Sequence, residues 1–552
     1  MIPNSARLSP WHAILLVVTL ASGSAYALYN TYQVFIPYPD CINGALIYFD
    51  VQRDGLEAIR YWVLPADNFL LVLHSIYQVW FPIFGTSVAS IVIFSYGVFL
   101  LCVVLSALII EKIAADQRQA AWSAILLFAA PMNLINANQS HPLGHNSTMV
   151  YVLLASLIVI GFMASHRRDA WGIGILVFVT AICTFSDPWF DAAFTIPALL
   201  SLAVLAFWSR TRTPELKQTA WLITVSLIVG LACGRGIYEI MAHYGFVPRR
   251  STSFAFADTV RQILARFGFM PGKSTPVAFV DLISANLRSL LQVLPTLFNY
   301  GSERPQGPLD WAFIGFGLGL AGIVCRHAVP VWRRIGMPGK FMLLFALLSS
   351  ASMALAFLVT RYASFNTGLA AARYVLNVYY MAFVAGIIIV GAVWARLGWQ
   401  KFVVIGWLGL FAVPGLLAGW RTFEHVGLEH PNLRVHQDLV ATLQKEGLAE
   451  GFAPYVSGAI GANSLTYLGK NELAVRPVEV VGGRLRPFSA NVYQRWYTEG
   501  KSANFLVVHR SDESAYHAAA LASFGAPHRT IRSGDYVIWV WPDNLMPLLT
   551  GA

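Results

Sequence analysis

The residues of this chain with the clearest chemical potential are aspartates that lie beside prolines or at the edge of apolar segments. Asp40 follows Pro37 and Pro39, which stiffen the backbone on its amino-terminal side. A carboxylate held in such a segment can accept a proton from an incoming hydroxyl group, although an ordinary turn aspartate explains the same pattern. Asp40 is therefore the candidate general base, with the turn residue as the alternative.

Three further aspartates flank apolar segments. Asp67 precedes the apolar stretch 69–85, where it either joins the catalytic group or caps a helix. Asp187 and Asp191 both belong to the sequence SDPWFD, in which Ser-Asp-Pro favours a tight turn. A carboxylate so close to the bilayer can also face a lipid headgroup or a metal, so Asp187 is a catalytic candidate and Asp191 a substrate-binding candidate.

Two histidines, His141 and His145, stand four residues apart in QSHPLGHNST. That spacing suits a helical metal pair, but Pro142 and Gly144 disfavour a helix and no HExxH sequence is present. Hydrogen bonding to a substrate is a better-supported role than zinc binding, although neither is required by the pattern, and the metal is unknown.

The arginines at the other end of the apolar region suggest phosphate binding. Arg361 and Arg373 are each followed by tyrosine and flank a loop, RYASFNTGLAAARY. A guanidinium group binds phosphate through two parallel hydrogen bonds, whereas the alternative is an arginine that snorkels at the membrane surface. Arg235 lies within an apolar segment, and Glu239 four residues later predicts a buried ion pair.

Other polar residues have simpler explanations. Asp50 and Asp54 fall four apart on a probable helix with Arg53, and a solvated helix face accounts for them. Cys41 lies in a polar loop and is expected to be a free thiol.

Composition places all these residues in a membrane protein. The chain has 552 residues, of which 57% are hydrophobic and only 12% charged, and its net charge is +10. Soluble proteins carry about 25% charged residues. The basic excess is expected in cytoplasmic loops, and nucleic acid is not an expected partner because no nucleic-acid-binding motif accompanies it. Five cysteines without a CxxC pair argue against a zinc ribbon or a disulfide framework.

The elements that must position the candidate residues are apolar segments of about 20 residues each, which predict an all-α polytopic membrane bundle of about 11 transmembrane helices. Outer loops are expected at 30–86 and 242–308, and each contains a surface helix, at 69–85 and 282–300. Domain 1–421 is thus the bundle. Its predicted spans are 11–29, 87–110, 120–137, 148–164, 170–185, 191–208, 219–241, 309–325, 341–360, 375–394 and 402–419.

Charge predicts the orientation of this bundle. Alternate short loops are basic, as at Arg167-Arg168 and Arg333-Arg334, and the positive-inside rule assigns them to the cytoplasm. The amino terminus is then cytoplasmic, and an odd number of spans puts the carboxy terminus outside. The first segment is expected to be a retained helix, with a signal peptide cleaved after Ala27 as the alternative. A bacterial inner membrane is expected because the chain shows no eukaryotic retention signal.

Residues 422–552 change character and predict a small extracytoplasmic α/β domain. Strand and helix patterns alternate, and Gly482-Gly483 is expected to be a turn rather than a nucleotide-binding motif. The expected elements are helices at 438–445 and 514–522 and strands at 473–481, 505–508 and 536–541.

These features together resemble the polytopic C-type glycosyltransferase superfamily, whose members use lipid-phosphate-linked sugars. The resemblance rests on the carboxylate-rich first outer loop with its surface helix and on a terminal extracytoplasmic domain. It also rests on three stretches: SDPWFDAAFTIPALL, RYVLNVYYMAF and GLAEGFAPYVSGAIGANSLTYLG. The first loop departs from many members in having Cys41 after Asp40 instead of a second acidic residue.

The resemblance implies sugar transfer from a polyprenyl-phosphate donor at the outer face. Asp40 would act as base or acceptor-binding group, Asp187 or Asp67 would assist it or hold a divalent metal, and Arg373 or Arg361 would lie near the polyprenyl phosphate. No cofactor is assigned beyond this possible divalent metal. The implied partners are the lipid-linked donor, membrane lipids and an acceptor that is a glycan, a lipid or a protein.

Two other classes of protein compete with this interpretation. A lipid or sugar transporter would show inverted repeats and ionisable groups near the bilayer midplane, and no clear repeat is seen. A non-catalytic membrane scaffold would use its outer domain to bind a partner, and it would keep its function after replacement of Asp40, Asp67 and Asp187.

Overall fold

The structure is a computed structural model of the whole chain. It describes a few single residues before position 39 and then 39–64, 67–113, 145–165, 169–208, 214–246, 276–297, 308–359, 368–410, 431–458, 460–470, 472–498 and 502–550.

Helices dominate the first three quarters of the described chain. Two segments are π-helical, Leu70–His74 and Asp191–Thr195, and an α-helix follows each of them directly. The helices are α1 (Pro39–Asp54), α2 (Leu70–Phe84), α3 (Val88–Ile113), α4 (Asn146–Ser165), α5 (Ala170–Ser186), α6 (Ile196–Trp208), α7 (Pro214–His243), α8 (Pro276–Leu297), α9 (Pro308–Arg334), α10 (Met337–Val359), α11 (Leu376–Val393) and α12 (Gln400–Leu410).

Six helices in the described part of the chain are long and apolar enough to cross a membrane, namely α3, α4, α7, α9, α10 and α11. Shorter apolar helices are α2, α5, α6 and α12. The chain is an integral membrane protein, but the predicted count of about 11 spans stays a prediction. The predicted span 120–137 lies outside the described residues, as do most of 11–29 and the end of 402–419.

Both predicted surface helices are helical. The stretch predicted at 69–85 forms α2, and Gly85, with a positive φ of 73°, is its C-cap residue. The stretch predicted at 282–300 forms the larger part of α8, and Asn286 on this helix donates hydrogen bonds to the carbonyl oxygens of Phe357 and Leu358 at the end of α10. Those carbonyls lack intrahelical partners, so Asn286 satisfies them.

The contacts divide the chain into two compact units. The bundle unit comprises residues Met1–Thr31, Val92–Ile237 and Thr252–Val426, and the sheet unit comprises Tyr32–Ile91, Tyr238–Ser251 and Gly427–Ala552. The predicted first outer loop, with α1 and α2, therefore folds together with the carboxy-terminal segment.

The sheet unit is built around a six-stranded mixed sheet with the order β4-β3-β2-β6-β8-β7. The central neighbours β3, β2 and β6 run parallel and the outer pairs run antiparallel. A separate two-stranded pairing joins β1 to β5. The strands are β1 (Trp62–Val63), β2 (Glu450–Pro454), β3 (Ala474–Val481), β4 (Arg484–Pro487), β5 (Val492–Tyr493), β6 (Phe505–His509), β7 (Arg529–Ser533) and β8 (Tyr536–Val540).

The longer helices that accompany this sheet are α13 (Pro431–Lys445), α14 (Ala462–Leu468) and α15 (Glu513–Phe524), and two short helices lie at Arg495–Thr498 and Met546–Thr550. Leucines of α13 and α14 pack with Phe505 and Ile538 of the sheet into one buried apolar core. The predicted Gly482-Gly483 turn joins β3 to β4, with φ values of 60° and 77°. Both values favour glycine, and Val481 pairs directly with Arg484 across the hairpin.

Two residues of the first loop lie in other surroundings than predicted. Cys41 forms no disulfide, as predicted, but it lies on α1, which begins at Pro39, and is buried rather than in a polar loop. Asp50 is also buried and does not belong to a solvated face. Its carboxylate accepts a hydrogen bond of 3.0 Å from the indole Nε1 of Trp62 and pairs with Arg53 at 2.9 Å.

Candidate functional site

Asp40 lies in the first turn of α1, where its carboxylate is held by groups from the distant carboxy-terminal segment. Its Oδ1 accepts hydrogen bonds from the Tyr455 hydroxyl and, at 3.3 Å, from Asn491 Nδ2. Asn491 Nδ2 also lies 3.0 Å from the Tyr455 oxygen. A carboxylate at the start of a helix is further stabilised by the positive end of the helix dipole.

The hydrogen bonds continue from Tyr455 into the interior of the sheet unit. Asn43, one turn along α1 from Asp40, donates to the Tyr455 oxygen at 3.1 Å. Asn463 donates to the side-chain oxygen of Asn43 at 2.9 Å and to the backbone oxygen of Asn491 at 3.1 Å. These five residues, Asp40, Asn43, Tyr455, Asn463 and Asn491, form the Asp40 cluster.

Local sequence explains how the cluster forms. Tyr455 begins the loop that leaves β2 and leads to α14, and its ring stacks on Phe488 with centroids 4.6 Å apart. Gly461 in the same loop has no room for a side chain, since a Cβ there would stand 2.7 Å from Pro39 at the start of α1. Asn491 has a φ of 52°, a left-handed conformation that asparagine tolerates better than most residues.

The Tyr455 hydroxyl is a hydrogen-bond donor at any ordinary pH. Burial raises the pKa of Tyr455 well above its usual value, and the neighbouring Asp40 carboxylate raises it further. The phenol therefore stays protonated, and its proton points to Asp40.

Asp67 lies in the bend before α2 and is half-buried. The N-cap position of α2 is Phe69, and the backbone N–H of Leu70, the first residue of the helix, donates a 2.9 Å hydrogen bond to Asn68 Oδ1. The N-cap is therefore neither Asp67 nor Asn68. The catalytic role of Asp67 stays a prediction.

In the bundle unit, Asp187 is completely buried at the turn between α5 and α6. Its Oδ2 accepts hydrogen bonds from His145 Nδ1 at 2.8 Å and from the Thr148 hydroxyl at 2.6 Å. Its Oδ1 accepts one from the backbone N–H of Trp189 at 3.0 Å, which closes the predicted turn. Asp187 therefore orients His145 and does not face lipid headgroups.

His145 is fixed on a second side by aromatic rings. Its imidazole stacks on Trp189 with centroids 4.9 Å apart and ring planes 7° from parallel, and it lies 5.6 Å from Tyr374. Trp189 Nε1 donates to the backbone oxygen of Tyr374 at 2.9 Å. Arg373 in turn donates to the Tyr374 hydroxyl at 2.9 Å. His145, Thr148, Asp187, Trp189, Arg373 and Tyr374 form the Asp187 cluster.

The stretches SDPWFDAAF and RYVLN, which are far apart in sequence, meet in this cluster. The hydrogen bond from Trp189 to Tyr374 joins the two stretches directly. Ser349 on α10 joins them a second time. Its hydroxyl donates to the Ala193 oxygen at 2.6 Å and accepts from Asn377 Nδ2 at 2.9 Å. Both stretches thus shape one buried polar region of the bundle.

Asp191 pairs with Arg235, which corrects the prediction that Arg235 pairs with Glu239 in the interior. Asp191 Oδ2 lies 3.1 Å from an Arg235 nitrogen, and Asp191 Oδ1 accepts from the hydroxyls of Thr184 at 2.6 Å and Thr195 at 3.3 Å. The Arg235 side chain is 52% exposed, so the guanidinium group is not buried.

Two candidates, His141 and Arg361, lie outside the described residues. Within the described part, no group of three or more His, Cys, Asp or Glu side chains is gathered that suits a metal ion. His145 and Asp187 use their facing atoms for each other, so they do not form an open pair of ligands.

Sequence reasoning missed the residues that hold Asp40. Asn43 lies close by in sequence, but Tyr455 and Asn491 are 415 and 451 positions away from Asp40, and a single sequence carries no signal of such a contact. One clue was present. The stretch GLAEGFAPYVSGAIGANSLTYLG, singled out for its resemblance, contains Tyr455, Gly461 and Asn463.

Comparison with solved structures finds the oligosaccharyltransferase of Archaeoglobus fulgidus in its apo form. The TM-score is 0.47 and the sequence identity 13%, with 93% of this chain and 71% of that chain covered. No protein-family model and no curated protein matches the sequence.

Proposed function

We propose that this protein is a membrane glycosyltransferase that moves a sugar from a polyprenyl-phosphate donor to an acceptor on the extracytoplasmic face. Asp40 is the general base. The observation that carries the proposal is the position of Asp40. Its carboxylate stands at the start of α1, one helical turn from the place where α1 packs on the amphipathic helix α2.

Helix α2 has the character of a helix at a membrane surface. One side packs on α1. There the Tyr77 ring lies against Gly44, and the ring centroids of Phe81 and Tyr48 are 5.5 Å apart. The other side exposes four large apolar side chains, namely Ile76, Val79, Ile83 and Phe84. An exposed apolar helix face buries itself in the headgroup and acyl boundary of a bilayer.

This packing sets the depth of Asp40. Four residues separate Asp40 from Gly44, which corresponds to about 6 Å along the helix axis. The carboxylate is then held near headgroup level, where a donor with a polyprenyl chain and a phosphate must present its sugar.

The chemistry needs one positioned base. Asp40 accepts the proton of an acceptor hydroxyl while the acceptor oxygen bonds to the anomeric carbon of the sugar. The bond from that carbon to the phosphate oxygen breaks, and polyprenyl phosphate leaves with the electron pair. Tyr455 and Asn491 fix the carboxylate through Oδ1. A donor hydrogen bond of this kind keeps a base in the geometry that proton transfer requires.

The other candidates receive supporting roles in this proposal. Arg373 contacts the donor phosphate, Asp187 positions His145, and Asp67 assists Asp40. No step is assigned to a metal, since the described side chains gather no set of ligands. Localisation in a bacterial inner membrane, with a cytoplasmic amino terminus, belongs to the same proposal, as do the membrane lipids as partners.

One observation favours the scaffold as a second candidate. The hydrogen bonds that Asp40 accepts from Tyr455 and Asn491 hold α1 against the carboxy-terminal segment of the sheet unit. A purely structural role would explain the same carboxylate. In that case the outer surface of the sheet unit binds a partner and no sugar is transferred.

The test compares two aspartates of one helix. The purified full-length protein is given a panel of polyprenyl-phosphate monosaccharides together with glycan, lipid and peptide acceptors that carry hydroxyl groups, and polyprenyl phosphate is quantified by mass spectrometry. Asp40→Asn is expected to lower its release at least about 100-fold, the lower range for loss of a general base. Asp54→Asn, on the same helix, keeps the activity. Equal release by wild type and Asp40→Asn, with both proteins folded, would remove the base and favour the scaffold.

A further inference from the structure

We propose that Arg235 binds the phosphate group of a membrane lipid at the edge of the bundle. This inference does not depend on the role of Asp40 and holds whether or not the protein transfers sugar. It rests on three properties of the Arg235 guanidinium group: its exposure, its depth in the membrane and its contact with Asp191.

The exposure of Arg235 is unusual for its surroundings. It belongs to α7, a helix apolar enough to cross a membrane, and the exposed side chains near it include Ile228, Val229 and Ile237. The arginine side chain is 52% exposed among them, while its partner Asp191 is only 9% exposed. Asp191 supplies one anion for this cation, and the exposed part of the guanidinium group still needs water or a second anion.

The depth of Arg235 in the membrane identifies the second anion. Asp191 stands where the chain reverses direction between α5 and α6, and two apolar helices that end at one turn mark a boundary of the membrane. Arg235 contacts Asp191 and therefore lies at this boundary rather than at the midplane. The anions found at this depth are the phosphates of lipids.

The guanidinium group is held ready for such a ligand. Asp191 is anchored by Thr184 and Thr195 and fixes one nitrogen of Arg235. Gly234 and Gly230 press α7 against α5, since a Cβ at Gly234 would stand 2.5 Å from the Ala181 oxygen. An arginine offers five N–H groups in a rigid fork, so one anchored nitrogen leaves the fork able to bind phosphate oxygens in two parallel hydrogen bonds.

The experiment measures lipid binding to the full-length protein in detergent by native mass spectrometry. The probes are decaprenyl phosphate, phosphatidylglycerol and, as a phosphate-free match, decaprenol. Wild type is expected to bind a phosphate-bearing lipid at least about tenfold more tightly than decaprenol, which corresponds to about 1.4 kcal/mol. Arg235→Gln abolishes this difference. Arg326→Gln, which changes an exposed arginine of α9, keeps it.

The two lipid sources separate in the same titration. A preference that depends on Arg235 and favours decaprenyl phosphate assigns the site to a polyprenyl lipid, and an equal preference for phosphatidylglycerol assigns it to ordinary phospholipid. Both results support a lipid-phosphate site. An undiminished phosphate preference in Arg235→Gln, or an equal loss in Arg326→Gln, overturns it.

Arg235→Lys keeps the test informative if the glutamine variant does not fold. The charge and the pairing with Asp191 are retained, but the planar fork is lost. Binding of the preferred phosphate lipid is expected to weaken about threefold to tenfold. Unchanged affinity, with an unchanged thermal midpoint, overturns the proposal. Because Asp40→Asn leaves this site intact, a failure here and a failure of the proposed glycosyltransferase give different results.

Discussion

At the scale of single residues, the Asp40 cluster shows how a partly exposed carboxylate becomes fixed. Asp40 itself lies at the surface of the sheet unit, but its partner Tyr455 is anchored by Asn43, and Asn43 is anchored by the buried Asn463. Each side chain in this series therefore depends on the next one. Loss of one link is expected to affect more than one contact.

Tyr455→Phe removes the hydroxyl that donates to Asp40 and accepts from Asn43 and Asn491. The free energy of unfolding should fall by about 1.5–3 kcal/mol, the range for a hydrogen bond to a charged group. Release of polyprenyl phosphate should fall as well, mainly in kcat, because the base loses its orientation. The measurements are thermal denaturation and the release assay.

The matched control for this change is Tyr516→Phe, on α15 of the same unit. It removes a hydroxyl of the same chemistry at a half-buried site and should leave both quantities unchanged. If Tyr455→Phe also leaves both unchanged, Tyr455 does not position Asp40.

His74 gives α2 a pH-dependent stability. Burial lowers the pKa of His74 to about 4, and its Nδ1 has no hydrogen-bond partner within the described residues. The unfolded chain binds a proton near pH 6.5 and the folded chain does not. Stability is therefore full above about pH 6.5 and decreases as the pH falls towards about 4, by roughly 3 kcal/mol once the ring is protonated.

His74→Leu should remove this part of the acid sensitivity, measured as the thermal midpoint between pH 7 and pH 4. The exposed His528→Gln should retain it. Parallel pH curves for wild type and His74→Leu would show that protonation of His74 does not govern the stability of α2.

At the scale of elements, close helix packing in the bundle depends on glycine. Gly230 and Gly234 stand four residues apart on α7 and face α5, where a Cβ at Gly230 would lie 2.6 Å from Cβ of Thr180. Small residues at this spacing allow membrane helices to approach closely. The same approach brings Arg235 to Asp191, so the packing of two helices sets the geometry of the proposed lipid site.

Gly234→Ala and Gly236→Ala place the same methyl group two residues apart on this helix. At Gly234 the methyl meets the Ala181 oxygen and Thr184, and the expected loss of stability is about 1–3 kcal/mol, as for an overpacked core. At Gly236 nothing lies within 4 Å, and alanine should stabilise the helix by up to about 1 kcal/mol. Thermal midpoints of the two variants measure the difference. Equal midpoints would mean that α5 and α7 are not in close contact.

At the scale of the whole molecule, the sequence predicted the features that depend only on neighbouring residues, namely helices, strands and turns. The apolar segments at 148–164 and 170–185 became α4 and α5 almost residue for residue, since length and hydrophobicity decide such helices. In the carboxy-terminal segment the predicted strands at 473–481, 505–508 and 536–541 and the helix at 514–522 correspond to β3, β6, β8 and α15. The helix predicted at 438–445 is the end of the longer α13, and β2, β4, β5, β7 and α14 were not predicted. The Gly482-Gly483 turn was predictable because it depends only on the positive φ values that its two glycines adopt readily.

Partners distant in sequence were not predictable. Arg235 was paired with Glu239 because helical spacing is visible in a sequence, whereas the contact with Asp191 depends on how α5, α6 and α7 pack. Asp50 was placed on a solvated face because Trp62, which covers it, lies in a separate strand. The joining of α1 to the carboxy-terminal segment required Tyr455 and Asn491, and no local pattern connects them to Asp40.

The central claim is that sugar transfer and the Asp40 carboxylate belong to one side of the membrane. Proteoliposomes are made with Leu56→Cys, an exposed position beside α1, in protein whose exposed Cys233 and Cys325 are changed to serine. A membrane-impermeant maleimide reports the side of residue 56, and the glycoside formed from the polyprenyl-phosphate panel is located inside or outside the vesicles. We expect product only in the compartment where residue 56 reacts, and none when Asp40→Asn is added. Product in the opposite compartment, or undiminished product without the Asp40 carboxylate, would contradict the account.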